Sequence, residues 1–397
     1  MSYLEKLLDG VEVEWKTLGS IAELKRGTSI TKKDVIDGTI PVVAGGRTPA
    51  YYHNTSNRDG QTIVIAGSGA YAGFVSWWEE PIFVSDAFTV KPHNILLPRY
   101  CYHFLMNMQQ QLHEFKSGGG VPHVYPRDVS PILIPIPCPD TPEKSLAIQS
   151  EIVRILDKFT ALTAELTAEL TAELNMRKKQ YNYYRDQLFS FKESEVEWKT
   201  LGEIGHFTRG KRFVKTDMLS EGYPCIHYGE MYTYYNVWTN KTKSFVSHEL
   251  ASKLRVSEYG DVIIVAAGET IEDIGKGTAW LGKSNVVFHD ACFSYRCLLN
   301  PKYIAYFTRT KIFHDQIKKH ISSGKISAIN ANGLSKVKIP MLSAKEQARI
   351  VDILDKFDTL TNSITEGLPR EIELRQKQYE YYRDLLFSFP KPETVSN

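Results

Sequence analysis

The motif with the most specific chemistry is a glycine-rich octapeptide, Gly277-Thr-Ala-Trp-Leu-Gly-Lys-Ser284, which matches the phosphate-loop pattern G-x-x-x-x-G-K-S. A phosphate loop needs a strand before it and a helix after it, so that backbone N–H groups at the helix N-terminus can hold the phosphates. The residues after Ser284 instead predict a strand, and the preceding strand ends near Ala267. The pattern therefore favours a β-turn, and a P-loop-type nucleotide hydrolase using Gly277–Ser284 is the alternative.

A second glycine-rich segment, Gly67–Gly73, follows a strand-like run and imitates a dinucleotide or S-adenosylmethionine loop. Phe74–Trp78 predicts another strand where such a loop would need a helix, which favours a hairpin. The sequence also lacks the Asn/Asp-Pro-Pro-Tyr/Phe motif of an amino-methyltransferase, the Pro-Asp…Glu-x-Lys arrangement of a nuclease and histidines at metal-ligand spacing. We therefore predict neither a catalytic centre nor a metal site on this chain.

The composition is that of a folded protein with more than one core. The chain has 397 residues, 42% of them hydrophobic, which is enough for two domains of ordinary size. Five scattered cysteines, without a Cys-x-x-Cys pair, favour reduced thiols. The first ten residues carry charges where a signal peptide needs an apolar run, and no stretch reaches the ~18 apolar residues of a membrane span. We expect a soluble, cytoplasmic protein.

The elements that must position any site come from an internal duplication. Residues 12–19 read Glu-Val-Glu-Trp-Lys-Thr-Leu-Gly, and residues 195–202 read the same eight letters, 183 positions later. Arg177–Phe191 recurs as Arg375–Phe389 with twelve of fifteen residues identical, at an offset of 198. The second copy is thus fifteen residues longer between its repeated blocks. The intervening segments share little beyond loose landmarks such as Ser85-Asp-Ala-Phe88 and His289-Asp-Ala-Cys-Phe293.

The repeated block Arg177–Phe191 lies at the end of a long amphipathic segment. Ser145 to Phe191 contains no glycine or proline, and its apolar residues recur at three-to-four spacing, which predicts a helix. Its second copy, Ala344 to Phe389, is interrupted by Gly367 and Pro369, where we expect a break or kink. Neither helix can bury its apolar stripe alone, so we predict that they pair, antiparallel.

The first long helix contains Thr-Ala-Glu-Leu three times in register. Each tetrapeptide adds about 6 Å of rise and about 40° of rotation on a 3.6-residue helix. A solvated helix explains this composition but not its tandem repetition, so we favour a ruler whose length sets the position of whatever lies beyond it. The ruler residues are Thr163, Leu166, Thr167, Leu170, Thr171 and Leu174.

The segments between the repeated blocks predict mixed α/β domains. Strand-like runs lie at 62–66, 82–84 and 88–90 in the first and at 261–265 and 285–288 in the second, separated by glycine and proline turns. Helices are expected at 100–115 and 303–320.

Charge differs between the two variable segments. Lys199 to Lys345 holds 21 basic and 12 acidic residues, a net charge of +9, whereas Lys16 to Pro142 holds 11 and 10, a net charge of +1. By charge alone only the second is a candidate for polyanion binding. The candidate phosphate or base-edge contacts are cations beside glycine and polar turns, although each alone is more often a solvated charge: Arg26, Arg47, Arg58, Arg127, Arg209, Lys211, Arg212, Lys276, Lys283 and Lys325.

Tyrosines cluster in the repeated block at the end of each long helix. They suit either docking of a partner protein or packing against the neighbouring domain, and the sequence leaves both open. The six are Tyr181, Tyr183, Tyr184, Tyr379, Tyr381 and Tyr382.

This layout resembles the specificity (S, HsdS) subunit of type I restriction-modification enzymes. The Thr-Ala-Glu-Leu units between Leu162 and Asn175, with the Arg177–Phe191 block and its second copy, resemble the IC subgroup. The resemblance implies two target recognition domains, each reading one half of a split, asymmetric DNA target, with the helices setting the spacer and docking two methyltransferase subunits. It implies no catalysis by this chain: methylation with S-adenosylmethionine, and cleavage that uses ATP and Mg²⁺, would belong to methyltransferase and restriction/translocase subunits.

The predicted fold class is α+β: two globular mixed α/β target recognition domains joined by two long antiparallel coiled-coil-like helices in a pseudo-two-fold tandem repeat. A coiled-coil scaffold without a DNA role is the remaining alternative. The predicted boundaries are 1–142 for the first domain, 143–191 for the first long helix, 192–343 for the second domain, 344–390 for the second long helix and 391–397 for a tail.

Overall fold

A computed structural model describes residues 3–118, 120–322, 324, 326–363 and 365–391. The chain divides into two compact units that do not follow the simple order of the sequence. Unit 1 contains Met1–Glu169 and Ile372–Asn397, and unit 2 contains Leu170–Glu371. Each unit thus combines one variable domain with parts of both long helical segments.

Unit 1 is built on three small sheets. A four-stranded antiparallel sheet has the order β2-β8-β5-β6, a three-stranded sheet has the order β4-β3-β7, and β1 pairs with β9. The central strand β5 is buried along its whole length, as its uninterrupted apolar run requires. The strands are β1 Val13–Thr17, β2 Ala22–Arg26, β3 Ile40–Val43, β4 Tyr51–His53, β5 Thr62–Ala66, β6 Val75–Trp78, β7 Phe83–Val84, β8 Ala87–Pro92 and β9 Leu133–Pro137.

The helix that begins at Pro98 packs against strands β5, β6 and β8 of the four-stranded sheet. The single helix predicted at 100–115 is two helices, α3 and α4, because the chain leaves helical geometry at Met108 (φ −94°, ψ 12°). Tyr100 is fully buried, and its hydroxyl donates to the Pro135 carbonyl at 3.0 Å. The helices are α1 Tyr3–Leu8, α2 Leu18–Ile21, α3 Pro98–Asn107, α4 Gln109–Glu114 and α5 Pro126–Val129.

Unit 2 repeats this strand topology. Its larger sheet has the order β11-β20-β16-β18-β13, a second sheet has the order β14-β12-β19-β15, and β10 pairs with β22 and β17 with β21. The strands are β10 Trp198–Thr200, β11 Gly205–Arg209, β12 Tyr223–Ile226, β13 Trp238–Thr239, β14 Ser244–Val246, β15 Val256–Ser257, β16 Val262–Val265, β17 Ala267–Gly268, β18 Gly277–Trp280, β19 Val286–Phe288, β20 Cys292–Cys297, β21 Ser327–Ala328 and β22 Lys338–Pro340.

The two domains correspond strand by strand, although their sequences hardly match. The order β2-β8-β5-β6 reappears as β11-β20-β16-β18, and β4-β3-β7 reappears as β14-β12-β19. Even the unusual parallel pair is shared, since β3 runs parallel to β7 and β12 runs parallel to β19. Part of the extra length of the second copy forms the added edge strands β13 and β15.

The helices of the second domain also follow those of the first. The segment predicted as one helix at 303–320 is again two, because Thr310 caps a new helix by accepting a hydrogen bond from the Phe313 N–H. The helices are α7 Leu201–Ile204, α8 Tyr228–Thr233, α9 His248–Ala251, α10 Pro301–Phe307, α11 Lys311–Lys318 and α12 Ala331–Ser335.

The long helical segments differ in continuity. The first, α6, runs without interruption over Pro142–Leu188. The second consists of α13 over Ala344–Asn362 and α14 over Gly367–Leu386, so the predicted break lies just before Gly367. Gly367 has a φ of +77°, a backbone conformation that disfavours residues with a side chain.

Each unit pairs the beginning of one long segment with the end of the other. In unit 1, Phe159 stacks on Tyr382 at 5.2 Å and the Thr160 and Tyr379 hydroxyls are 3.0 Å apart, which is an antiparallel contact. In unit 2, Tyr181 and Tyr184 both stack on Phe357. The predicted antiparallel pairing is therefore present in unit 1, and residues at the equivalent positions meet in unit 2.

Both helix beginnings are attached to their domain by the same two polar residues. Gln149 is fully buried, and its amide accepts from the Leu97 N–H and donates to the Ile95 carbonyl. Its copy Gln347 accepts from the Asn300 N–H. Two turns further on, carboxylates of the repeated Ile-Leu-Asp-Lys-Phe block bind the domain helix: Asp157 binds Arg99 and His103, and Asp355 binds Lys302 and Tyr306.

None of the helices in the described ranges is long and apolar enough to cross a membrane.

Candidate nucleic-acid interface

The phosphate-loop pattern lies in a strand–turn–strand element. Gly277–Trp280 is strand β18, and Val286–Phe288 is strand β19. The Gly277 N–H donates to the Thr308 hydroxyl at 2.9 Å, and the Trp280 indole N–H donates to the Ser284 carbonyl at 2.9 Å. With no helix after the loop and its first N–H already bonded, the element does not form a phosphate-binding loop, which confirms the predicted turn.

The other glycine-rich segment joins strands β5 and β6, as predicted for a hairpin. Its backbone also pairs with a second loop of the same domain, since the Val124 N–H donates to the Gly67 carbonyl and the Gly69 N–H donates to the Pro122 carbonyl. The two loops thus form one surface, which we call the loop platform (residues 67–73, 116–118 and 120–127).

Cations and rings of the first domain converge on this platform. The Arg127 guanidinium lies 4.7 Å and the Arg26 guanidinium 5.4 Å from the centroid of the Tyr125 ring, and the His123 ring stacks on the same tyrosine. The Arg127 side chain is 79% exposed, with Asp128 3.7 Å away. Two exposed arginines thus lie on one phenol ring, and one of them is paired with a carboxylate.

A further cation, Arg47, borders the platform, and Lys116 lies within it. The Arg47 guanidinium lies 4.8 Å from the centroid of Tyr71, a half-exposed ring of the hairpin. Lys116 donates from its ammonium to the Ala70 carbonyl at 2.8 Å. The sequence analysis named Arg47 but not Lys116, although Lys116 precedes Ser117-Gly118, because its approach to a loop 46 residues away depends on long-range pairing.

Arg58 has a structural role in the first domain. Its guanidinium donates to the Thr89 hydroxyl and to the carbonyls of Asn57 and Arg26. These bonds occupy all three of its nitrogens and hold its loop against strands β2 and β8.

The second domain presents exposed cations at the corresponding strand end. The Arg209 guanidinium donates to the Asp290 carbonyl at 3.1 Å, and the Lys211 ammonium donates to the Lys253 carbonyl at 2.8 Å. Arg212 is exposed beside them. The three cations lie at the end of β11. This position corresponds to that of Arg26 at the end of β2.

The remaining predicted cations are separate. Lys276 pairs with Asp273 at 2.5 Å. Desolvation raises the pKa of the Asp273 carboxyl, but the hydrogen bond with Lys276 helps to bring it below its usual value. Lys283 is exposed in the turn after β18. Lys325 lies outside the described residues.

A cluster of rings in the second domain was not predicted from the sequence. His227 and His289 follow the parallel strands β12 and β19, and their rings lie 4.6 Å apart, with Phe213 5.3 Å from His289. Burial lowers the pKa of His227 to about 4, and it also lowers the pKa of His289. The sequence signal, one histidine after each strand, is visible only once the strands are known to be parallel neighbours.

The tyrosines of the repeated blocks divide between packing and exposure. Tyr181 is 6% exposed within the core of unit 2, so it packs rather than docks. Tyr379 approaches Thr160, as described above. Tyr183 and Tyr381, at equivalent positions, are 60% and 62% exposed, and Tyr184 and Tyr382 are partly exposed.

The ruler residues all lie within the unbroken helix α6. Thr171 is exposed, and the other five residues, including all three leucines, are half-buried. The boundary between the two compact units, Glu169/Leu170, falls inside the second Thr-Ala-Glu-Leu repeat.

The described residues contain no group of three or more histidine, cysteine or acidic side chains placed to hold a metal ion. What the fold does provide is two domains that share a strand order, each with an arginine at the end of the edge strand of its larger sheet. These features define a tandem-repeat protein in which one fold carries two different surfaces.

The chain belongs to the family of type I restriction-modification DNA specificity domains. The family model, described as "Type I restriction modification DNA specificity domain", matches residues 10–176 and again 193–374, once for each copy of the repeat.

Curated relatives match along the whole chain. The Escherichia coli type I restriction enzyme EcoR124I/EcoR124II specificity subunit is 42% identical over 440 residues, covering 100% of this chain and 99% of the relative. A putative type I restriction enzyme specificity subunit from Haemophilus influenzae is 35% identical, covering 98% of each chain.

Solved structures share the fold. A chain from a structure on complex assembly and conformational transition of the type I R-M system gives a TM-score of 0.64 at 16% identity, covering 95% of this chain and 98% of that one. The HsdS subunit from Thermoanaerobacter tengcongensis gives a TM-score of 0.50 at 17% identity, covering 94% and 96%. The predicted fold class is confirmed.

Proposed function

We propose that this chain is the DNA specificity subunit of a type I restriction-modification complex and binds a bipartite, asymmetric DNA target. One recognition domain contacts each half-site. The observation that carries the proposal is that two domains with a shared strand order end the equivalent strands β2 and β11 in Arg-Gly but continue with different residues, Thr28-Ser29 in one and Lys211-Arg212 in the other. A shared scaffold with divergent surfaces suits two unlike half-sites.

In the first domain the exposed cations around the loop platform supply the phosphate contacts. Arg47, Lys116 and Arg127 each lie beside an aromatic ring or a loop carbonyl that fixes the side chain before DNA arrives. Contacts of this kind orient a protein on the duplex without reading its sequence.

The long helices set the distance between half-sites and dock methyltransferase subunits. The repeated Thr-Ala-Glu-Leu units lie in an uninterrupted helix, so a change in their number changes its length without a change of path. The exposed pair Tyr183 and Tyr381 are the best candidates for partner contacts, because large exposed aromatic side chains are typical anchors of protein interfaces.

Catalysis belongs to the partners. In this proposal two methyltransferase subunits use S-adenosylmethionine, and restriction/translocase subunits use ATP and Mg²⁺. This chain supplies sequence recognition and spacing and acts as a non-catalytic subunit.

Salt dependence of DNA binding tests the phosphate contacts. The DNA affinity of the complex of this chain with its methyltransferase subunits is compared with that of the Arg127→Gln complex, on a duplex that carries the sequence the complex methylates. Loss of one phosphate contact should reduce the slope of log affinity against log salt by about 0.9 while the preferred sequence stays the same. Lys6→Gln is the charge-matched control, because it removes one exposed positive charge from helix α1 and is not among the predicted DNA contacts.

An unchanged salt slope in Arg127→Gln would remove this residue from the interface. Equal affinity of the unaltered complex for target and scrambled duplexes would contradict the specificity function itself and favour a scaffold.

A further inference from the structure

A repeated Arg-Gly pair occurs at one place in both domains. Arg26-Gly27 ends strand β2, and Arg209-Gly210 ends strand β11. A Cβ on Gly27 would lie 2.3 Å from the Ser85 carbonyl oxygen, and a Cβ on Gly210 would lie 2.1 Å from the His289 carbonyl oxygen. Both glycines are therefore required by the close approach of the chain that carries residue 85 or 289.

An aspartate follows that residue in each domain. In the first, Asp86 is exposed, and its carboxylate accepts from the Ser68 hydroxyl. In the second, Asp290 follows His289, and its carbonyl accepts from Arg209. The register agrees, because Arg26 lies opposite Phe88 and Arg209 lies opposite Phe293, with one residue inserted in the second copy.

The space beside this pair differs between the domains. In the first, Arg26, Ser85 and Asp86 line a cavity of about 210 Å³. In the second, the position of Ser85 holds His289, whose ring lies against His227 and Phe213. The backbone contacts are alike, since the Ser85 N–H donates to Val43 and the His289 N–H donates to Ile226, the last residues of β3 and β12.

The chemistry of the first cavity is that of a base-pair reader. Among the described residues, none accepts a hydrogen bond from the Arg26 guanidinium, which lies over Tyr125, and the Asp86 carboxylate accepts a hydrogen bond only from the Ser68 hydroxyl. A carboxylate finds no donor on a DNA backbone, because phosphate oxygens only accept. Its partners in the major groove are the amino groups of cytosine and adenine, and an arginine beside it suits guanine N7 and O6.

We propose that Arg26 and Asp86 read one G·C pair of the first half-site, Arg26 donating to guanine and Asp86 accepting from the cytosine amino group. In the second domain, the rings of His289, His227 and Phe213 fill the corresponding space, so the retained Arg209 and Asp290 meet the duplex in a different setting. The inference rests on the proposed DNA specificity and assigns its first base-reading residues.

Methylation mapping with the unaltered complex first defines both half-sites. Duplexes that each carry one substituted base pair are then methylated by complexes containing wild-type chain, Asp86→Asn or Asp59→Asn. Asp59 is the matched control, an exposed aspartate that accepts from a serine hydroxyl in the same domain. We expect Asp86→Asn to reduce discrimination about tenfold at one G·C position of one half-site and to leave all other positions unchanged.

A second variant, Ser85→His, fills the cavity with the residue that the second domain already holds on an equivalent backbone. It should lower selectivity at the same position as Asp86→Asn and should leave the other half-site unaffected. Loss of discrimination at an A·T position, at every position or at none would overturn the assignment. If the unaltered complex methylates without sequence preference, the proposed function fails instead, so the two failures are distinguishable.

Discussion

The buried histidine His227 makes the second domain sensitive to acid. Its Nδ1 accepts from the Gly229 N–H at 3.2 Å, which leaves the proton of the neutral ring on Nε2. With the folded pKa lowered from 6.5 to about 4, the unfolded state binds a proton first as the pH falls. The stability that the neutral ring contributes is complete above pH 6.5 and is lost progressively as the pH falls toward 4.

We expect His227→Asn, whose amide oxygen can replace Nδ1 as acceptor, to reduce this acid sensitivity. The loss in free energy of unfolding of unit 2 between pH 7.5 and pH 5.5 should be smaller in the variant by about 1 kcal/mol. Hydrogen exchange of Tyr223–Ile226 and Val286–Phe288, corrected for the intrinsic rate at each pH, measures it. If the free energy of unfolding of unit 2 depends on pH in the same way in the variant and the wild type, His227 is not the source of the acid sensitivity.

At the scale of the element, the buried glutamine of each long helix offers a paired test. Gln149→Leu would leave the Leu97 N–H and the Ile95 carbonyl without partners, so unit 1 should lose about 2 kcal/mol of stability. Gln347→Leu should do the same to unit 2. Protection measured separately in each domain by hydrogen exchange should fall only in the unit that carries the substitution, and a loss shared by both units would contradict local attachment.

The ruler is tested by deletion of one repeat, Thr167–Leu170. Removal of about 6 Å and about 40° from helix α6 should shift the preferred spacer between half-sites by about one base pair, since both values are of the order of one or two duplex steps. Methylation mapping of the complex measures the spacer, and Thr167→Ala controls for composition at constant length. An unchanged spacer would mean that these repeats do not measure distance.

The sequence predicts elements better than it predicts their meeting points. Helix α6, the interruption before Gly367, and strands β5 and β16 followed from periodicity and from glycine and proline. The division of 100–115 and 303–320 into two helices did not, because a single Met108 or a Thr310 cap is a weak local signal. The approach of Lys116 to Ala70, and of His227 to His289, depends on long-range pairing that no local pattern encodes.

At the scale of the whole molecule, the block Arg177–Phe191 packs on the second domain, and its copy Arg375–Phe389 packs on the first. Phe189, at the end of the first copy, packs on Tyr303 and Phe307 of the second domain. Its counterpart Phe387 packs on Tyr100 and Phe104 of the first. The second domain is thus completed by the block that precedes it, and the first domain by the block near the end of the chain. The duplicated sequence does not reveal this relation.

This arrangement predicts that the same substitution at the two equivalent positions destabilises different units. Phe387→Ala should cost unit 1 about 3 to 5 kcal/mol and leave unit 2 protected, although residue 387 follows the second domain in sequence. Phe189→Ala should do the reverse. Hydrogen exchange resolved by segment distinguishes them, and a Phe387→Ala chain that loses protection in 192–343 would contradict the assignment.

The discontinuity of unit 1 sets an order of events on the ribosome. The roughly 200 residues between Glu169 and Ile372 take about 10 to 40 s to synthesise at typical rates. Throughout that interval the first domain has emerged but lacks Leu386, Phe387 and Phe389 for its core, whereas unit 2 is complete as soon as its own residues have emerged. The domain that is made first is therefore completed last, and a chain that terminates before Leu386 lacks three core residues of its first domain.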